Sequence, residues 1–241
     1  MTQPSNLTVV CDGAGNEAEL RNWLDNHAGA TANDNWSTNL TWSHNFTGLT
    51  SACGKAGEAL VTFTVSDECG NKSTVTATVK IEDETPPVFS ALIPEIKVGC
   101  DEPIPVKVDP SVSDVCDAAP KVVFDEKKEA YCGNGYKLIR TWTATDACGN
   151  TATTVQTILY GDNEPPVLGN VPADITLRCD EPLPLGQGLT IQDKCDALPR
   201  ITMSDNITRG ACGSNYTIKR IWTAVDACGN LATAQQNIYR R

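Results

Sequence analysis

R-I-W-T-A-V-D-A-C-G-N-L-A at residues 220–232 repeats R-T-W-T-A-T-D-A-C-G-N-T-A at 140–152, and a weaker copy, V-T-F-T-V-S-D-E-C-G-N-K-S, fills 61–73. The cysteines of the three copies, Cys69, Cys148 and Cys228, lie 79 and 80 residues apart. Self-similarity at a fixed period of this size marks one structural unit repeated, so the 241 residues divide into domains at 1–84, 85–163 and 164–241. Within the copies, residues 60–65 and 139–145 alternate apolar with polar or β-branched side chains, the period of a half-buried strand. D-x-C-G-N then supplies turn chemistry, because Asp and Asn tolerate turn conformations and Gly takes positive φ without steric cost. A second alternating run follows at 74–81 and 152–159. Each copy reads as a β-hairpin closing a domain.

Outward from the hairpins, many short strand-like runs separated by turn signals predict tandem immunoglobulin-like antiparallel β-sandwiches, an all-β class. The first domain adds one short helix. Asn16 stands where a cap belongs and Glu19 where a capping box wants it. Leu20, Trp23, Leu24 and His27 share a face, and Gly29 stops the helix. His27 on that face and His44 beside Trp42 read as packed residues, and Trp142 and Trp222 as core anchors. The linkers I-E-D-E-T-P-P-V-F at 81–89 and Y-G-D-N-E-P-P-V-L at 160–168 each carry two successive prolines. Such joints hold the backbone extended and predict a semi-rigid rod of three domains.

Units of eighty residues bury only a modest core and want staples. Eleven cysteines spaced about sixteen residues apart, with no C-x-x-C and only two histidines, favour disulfides over zinc and predict a secreted or cell-surface protein. A net charge of −11 disfavours a nucleic-acid partner. No apolar run is long enough to insert into a membrane, and no signal peptide is recognisable. The start M-T-Q-P-S reads as the opening of an excerpt from a longer protein.

Strand length constrains the pairing. An extended run over 136–145 separates Cys132 from Cys148 by roughly 30 Å at about 3.3 Å per residue, whereas a disulfide needs Cα atoms within about 7 Å. With alternating strand directions, the first and third cysteines of a repeat reach one end and the second and fourth the other. The expected bridges are therefore Cys100 with Cys132, Cys116 with Cys148, Cys179 with Cys212, and Cys195 with Cys228. In the first repeat D-N-W at 34–36 replaces the second cysteine, so Cys11 is expected to join Cys53 and leave Cys69 a free thiol.

W-T-A-T-D-A-C-G-N, the four-cysteine spacing and the D-x-x-P-P joints together resemble the hyalin-repeat-like four-cysteine domains. These occur in tandem in very large surface proteins of Bacteroidetes, among them gliding and adhesion proteins exported by the type IX system. The resemblance covers the second and third domains fully. In the first it rests on C-D-G-A-G-N-E-A-E-L, T-W-S-H-N-F-T-G-L and S-D-E-C-G-N, with the second cysteine missing. It implies a non-catalytic stalk or adhesive module whose partners are further copies of the repeat and a surface glycan or protein ligand.

The acidic linkers also look like those of cadherins, where carboxylates share hard cations through oxygen ligands. By strand direction Asp83 and Glu84 are expected to meet Asp114, Asp117, Asp146 and Asn150. Asp162, Asn163 and Glu164 are expected to meet Asp193, Asp196, Asp226 and Asn230. Two readings stand: calcium at both joints, or carboxylates that merely cap turns. Sequons at Asn6, Asn35, Asn39, Asn45, Asn71, Asn206 and Asn215 would carry glycans only in a eukaryotic source. No nucleophile, base and orienting acid recur together, so enzyme activity is not expected. A filament-forming surface subunit and a carbohydrate-binding accessory module of a secreted enzyme are the alternatives.

Overall fold

The computed structural model describes residues 1–210 and 215–241, and these residues are all-β apart from one short helix and a single 3-10 turn. The first repeat contains β1 (Leu7–Val10), α1 (Glu17–Asp25), β2 (Thr41–His44), β3 (Thr50–Cys53), β4 (Ala56–Ser66) and β5 (Lys72–Glu82). The second contains β6 (Val88–Phe89), β7 (Glu95–Gly99), β8 (Val112–Ser113), β9 (Lys121–Ala130), β10 (Tyr136–Thr145) and β11 (Thr151–Gly161). The third contains β12 (Val167–Gly169), β13 (Ile175–Leu177), β14 (Thr190–Gln192), β15 (Arg200–Arg209), β16 (Tyr216–Val225) and β17 (Leu231–Arg240). Main sheets run β1-β5-β4-β2, β7-β11-β10-β9 and β13-β17-β16-β15, and in the second and third repeats the facing layer is a two-stranded ladder, β6-β8 or β12-β14. These are immunoglobulin-like sandwiches, as the period-2 runs require.

The repeated hairpins form as expected, with Leu60 opposite Thr78 in the first and Trp222 opposite Ala234 in the third. The sheets are not purely antiparallel, however. β1 pairs parallel with β5, β7 with β11 and β13 with β17. An edge strand that enters at the start of a repeat and lies beside its last strand runs the same way as that strand, so each sheet is mixed. Alternation in β10 and β16 sends Leu138, Trp142 and Ala144, or Ile218, Trp222 and Ala224, inward. Trp142 anchors its ring further by donating Nε1–H to Asp109 Oδ1 at 2.7 Å.

α1 forms where expected but starts differently. Asn16 is left-handed (φ 53°) and makes no side-chain cap. Its amide instead donates to Val10 O at 2.9 Å and its Oδ1 accepts from Asp12 N at 3.2 Å, tying the helix start back to β1. Trp23 packs edge-on to Phe63 and donates its indole N–H to Ser5 O at 2.8 Å. His27 stacks on Trp42 at 4.4 Å, and burial, with a smaller push from His44, lowers its pKa.

Contacts group the chain into two compact units. One comprises Met1–Leu92, Asp109–Asp125 and Thr141–Thr154, the other Ile93–Val108, Glu126–Arg140 and Val155–Arg241. Each unit holds one whole linker, and strands of the middle repeat contribute to both.

Candidate metal centres and disulfides at the repeat joints

The turn D-x-C makes its own scaffold. Asp114 Oδ1 accepts from the backbone N–H of Cys116 and of Asp117, both at 2.8 Å, and Asp193 does the same with Cys195 and Asp196. In D-x-C-G-N, Asp146 Oδ1 accepts from Cys148 N and Asn150 N, and Asp226 Oδ1 from Cys228 N and Asn230 N. One oxygen of each carboxylate is therefore fixed by the backbone, and the side chain's direction is set before any ligand arrives.

In the first unit the linker joins these turns. Asp83 Oδ1 accepts from Thr85 N and Oγ1, and one carboxylate oxygen each from Asp83, Asp114 and Asp146 lie within 4.8 Å of one another. Asp83 Oδ2 and Asp114 Oδ2 are buried with no hydrogen-bond partner. In the second unit Asp162 and Asp193 converge in the same way, with Asp162 Oδ2 again buried and unpartnered. The Cys195 sulfur within that 4.8 Å cluster is half of a disulfide and offers no thiolate. Burial pushes the Asp162 carboxyl above its ordinary value; the Glu164 N–H opposes this, and the charges of Asp193 and Asp226 add to it. Buried unpaired carboxylate oxygens facing like charges are costly, and a hard cation would satisfy them.

Other acids and amides at these joints do different work. Asn150 donates its amide to Asp83 O at 3.0 Å and to Asp146 Oδ2 at 2.8 Å, and Asn230 donates likewise to Asp162 O and Asp226 Oδ2. Asp117 accepts from Ala119 N and Ala147 N, and Asp196 from Leu198 N and Ala227 N, so each staples one turn to the other. Glu84 and Glu164 are exposed.

The disulfides correct the expected pairing. Cys11 bonds Cys116, Cys53 bonds Cys148, Cys100 bonds Cys195 and Cys132 bonds Cys228, at Cα separations of 6.2, 5.0, 5.9 and 4.6 Å. Neither Cys11 with Cys53, Cys100 with Cys132, Cys116 with Cys148 nor Cys195 with Cys228 is joined. The physical reason is that the first and third cysteines of one repeat meet the second and fourth of the next, so the nearest sulfur lies across the joint. Gly54 and Gly133, each following a third cysteine, make this approach possible. Both are left-handed, at φ 62° and 55°, and a Cβ on Gly54 would sit 2.4 Å from Cys116 O. Among the described residues Cys69 and Cys179 are exposed and carry no disulfide. Cys212, the partner expected for Cys179, lies outside the described residues. Four disulfides fit an oxidising, extracellular setting, and no described helix is long and apolar enough to cross a membrane.

A buried arginine escaped the sequence reading. Arg140 and Arg220 are 5% and 4% exposed. Arg220 forks onto Asp205 with two bonds of 2.8 Å and donates to Pro184 O, while Arg140 engages Glu126 at 2.9 Å and Pro105 O at 3.0 Å. The signal was its phase, since Arg140 alternates with Leu138, Trp142 and Ala144.

No protein-family model matches the chain, and no curated protein matches it in sequence. Among solved structures it is similar to the protocadherin gammaB7 EC3-6 cis-dimer at 10% identity and a TM-score of 0.29, covering 100% of this chain and 72% of that one. Human desmocollin-1 gives 10% identity and 0.25, covering 76% and 48%, so the chain spans about half of that ectodomain. Drosophila N-cadherin EC1-4 gives 13% and 0.24, covering 98% and 74%.

Proposed function

We propose that the chain is a non-catalytic tandem-repeat segment of a secreted or cell-surface protein, an adhesive or stalk module whose joints hold calcium. The observation that carries the calcium reading is the convergence of Asp83, Asp114 and Asp146 with two buried, unpartnered carboxylate oxygens. Six to eight oxygen ligands suit calcium, and the joint supplies carboxylates already oriented by backbone N–H groups. The disulfides across each joint favour a load-bearing module, because they tie each repeat to the next rather than to itself. Its partners are further copies of the repeat and a surface glycan or protein.

Thermal melting with calcium and with chelator tests this. A ligand bound only by the folded state at 100-fold over its Kd stabilises by roughly 2.7 kcal/mol. Calcium is expected to raise the melting temperature of the chain and to lose that effect in the Asp83→Asn, Asp162→Asn double variant. An unchanged melt would remove calcium from the reading and leave a module held by disulfides and proline-rich linkers.

A further inference from the structure

Among the described residues Cys179 is exposed and carries no disulfide, yet its counterparts Cys11 and Cys100 both bond the D-x-C cysteine of the following repeat. The loop around Cys179 is built like the loop around bonded Cys100. Glu102 Oε2 accepts from Gly99 N at 2.9 Å, and Glu181 Oε2 accepts from Arg178 N at 2.7 Å. The carbonyl of Cys100 accepts from the Tyr160 hydroxyl at 2.5 Å. Arg240, at the position equivalent to Tyr160, donates to the Cys179 carbonyl at 2.9 Å and also to Glu181 O. The loop thus holds the same hydrogen bonds without its disulfide.

We propose that Cys179 is the open half of a disulfide to the D-x-C cysteine of a further four-cysteine repeat lying outside these 241 residues. A second copy of this chain cannot supply that sulfur. Cys116 and Cys195 are already bonded, and the first repeat places Trp36 at the position. Asp34 Oδ1 there accepts from Trp36 N at 2.8 Å and Ser37 N at 2.7 Å, the turn that Asp114 makes with Cys116 and Asp117. The turn is present and the sulfur is absent. Bond formation takes two protons and two electrons from the two thiols; a small-molecule disulfide accepts both and leaves as two thiols. The inference rests on the tandem-repeat reading and not on calcium.

The test appends a second copy of residues 162–241, its own Cys179 replaced by Ser so that only the native Cys179 is read, after Arg241, which stands one period of 80 residues beyond Gly161 and so keeps the register. Both the native and the extended chain are oxidised with a glutathione redox pair, checked for a cooperative melt, alkylated without reduction and digested. In the native chain Cys179 is expected to be fully labelled. In the extended chain the label is lost and Cys179 is recovered bonded to the appended copy of Cys195, while replacing that appended cysteine by Ser restores the label. A peptide joining Cys179 to Cys212 or to Cys69 overturns the proposal. So does a Cys179 that stays labelled in an extended chain that melts cooperatively and bonds Cys212 to the appended copy of Cys228. A digest lacking the Cys11–Cys116 and Cys100–Cys195 bridges overturns it together with the tandem reading.

Discussion

The first and third repeats bury opposite chemistry at one strand position. Counted from D-x-C-G-N, Val61 and Arg220 are equivalent. Val61 is wholly buried in a cluster with Trp23, Phe63 and Val79, because α1 lays an indole over the sheet. Arg220 is almost as buried, and there the D-E-P-L-P segment brings a carbonyl and β15 a carboxylate to its head. The turns at the joints behave in the opposite way. Asp34, Asp114 and Asp193 make the same two backbone hydrogen bonds whether the next residue but one is Trp36, Cys116 or Cys195. The core filling is exchangeable between repeats, and the geometry that presents the joint is kept.

Removing the arginine head should break that comparison most severely. Arg220→Ala strands Asp205 without its partner and is expected to cost about 3–5 kcal/mol, whereas the Arg220→Met, Asp205→Leu double variant, which removes both charges and follows the apolar solution of Val61, should be near neutral. Thermal or denaturant melts of the two variants decide this. Equal losses would mean that the stranded Asp205 carboxylate is not what the alanine variant suffers from.

A smaller effect separates the joint carboxylates from ordinary turn caps. Asp162 has its folded pKa raised by burial, with Asp193 and Asp226 pushing the same way. Between the unfolded pKa, near 3.9, and the raised folded value the folded state binds more protons, so its contribution falls as pH rises through that window and is fully unfavourable at neutral pH. In chelator at neutral pH, Asp162→Asn should therefore melt above the parent chain, and the gap should narrow as pH falls through the window. A gap independent of pH would contradict the raised pKa. The smallest effect belongs to Trp36, which is 96% exposed. Trp36→Ala is expected to change stability by no more than about 0.5 kcal/mol, and a larger loss in a melt would mean that the indole is held.

Much of this was legible in the residues. The hairpins and the tryptophan anchors followed from period-2 alternation, and α1 from its shared apolar face. The helix cap was misread because the glycines of D-G-A-G-N turn the chain so tightly that Asn16 hydrogen-bonds backward to Val10 and Asp12. Cysteine ends were legible from strand direction, but partners were not. Bonded cysteines lie 95 to 105 residues apart, and nothing in spacings of sixteen says which sulfur faces which across a joint. Asp83, Asp114 and Asp146 were identifiable as a set because D-x-C and the linker recur. Asn150 and Asp117 turned out to serve as hydrogen-bonding staples, a distinction that depends on which atom points at the neighbouring turn.

Non-reducing peptide mapping of the native chain tests most directly whether repeats are tied to one another. The digest should contain Cys11 with Cys116, Cys53 with Cys148, Cys100 with Cys195 and Cys132 with Cys228. Peptides joining Cys100 to Cys132 and Cys116 to Cys148 would mean that each repeat is closed on itself, and would contradict the account.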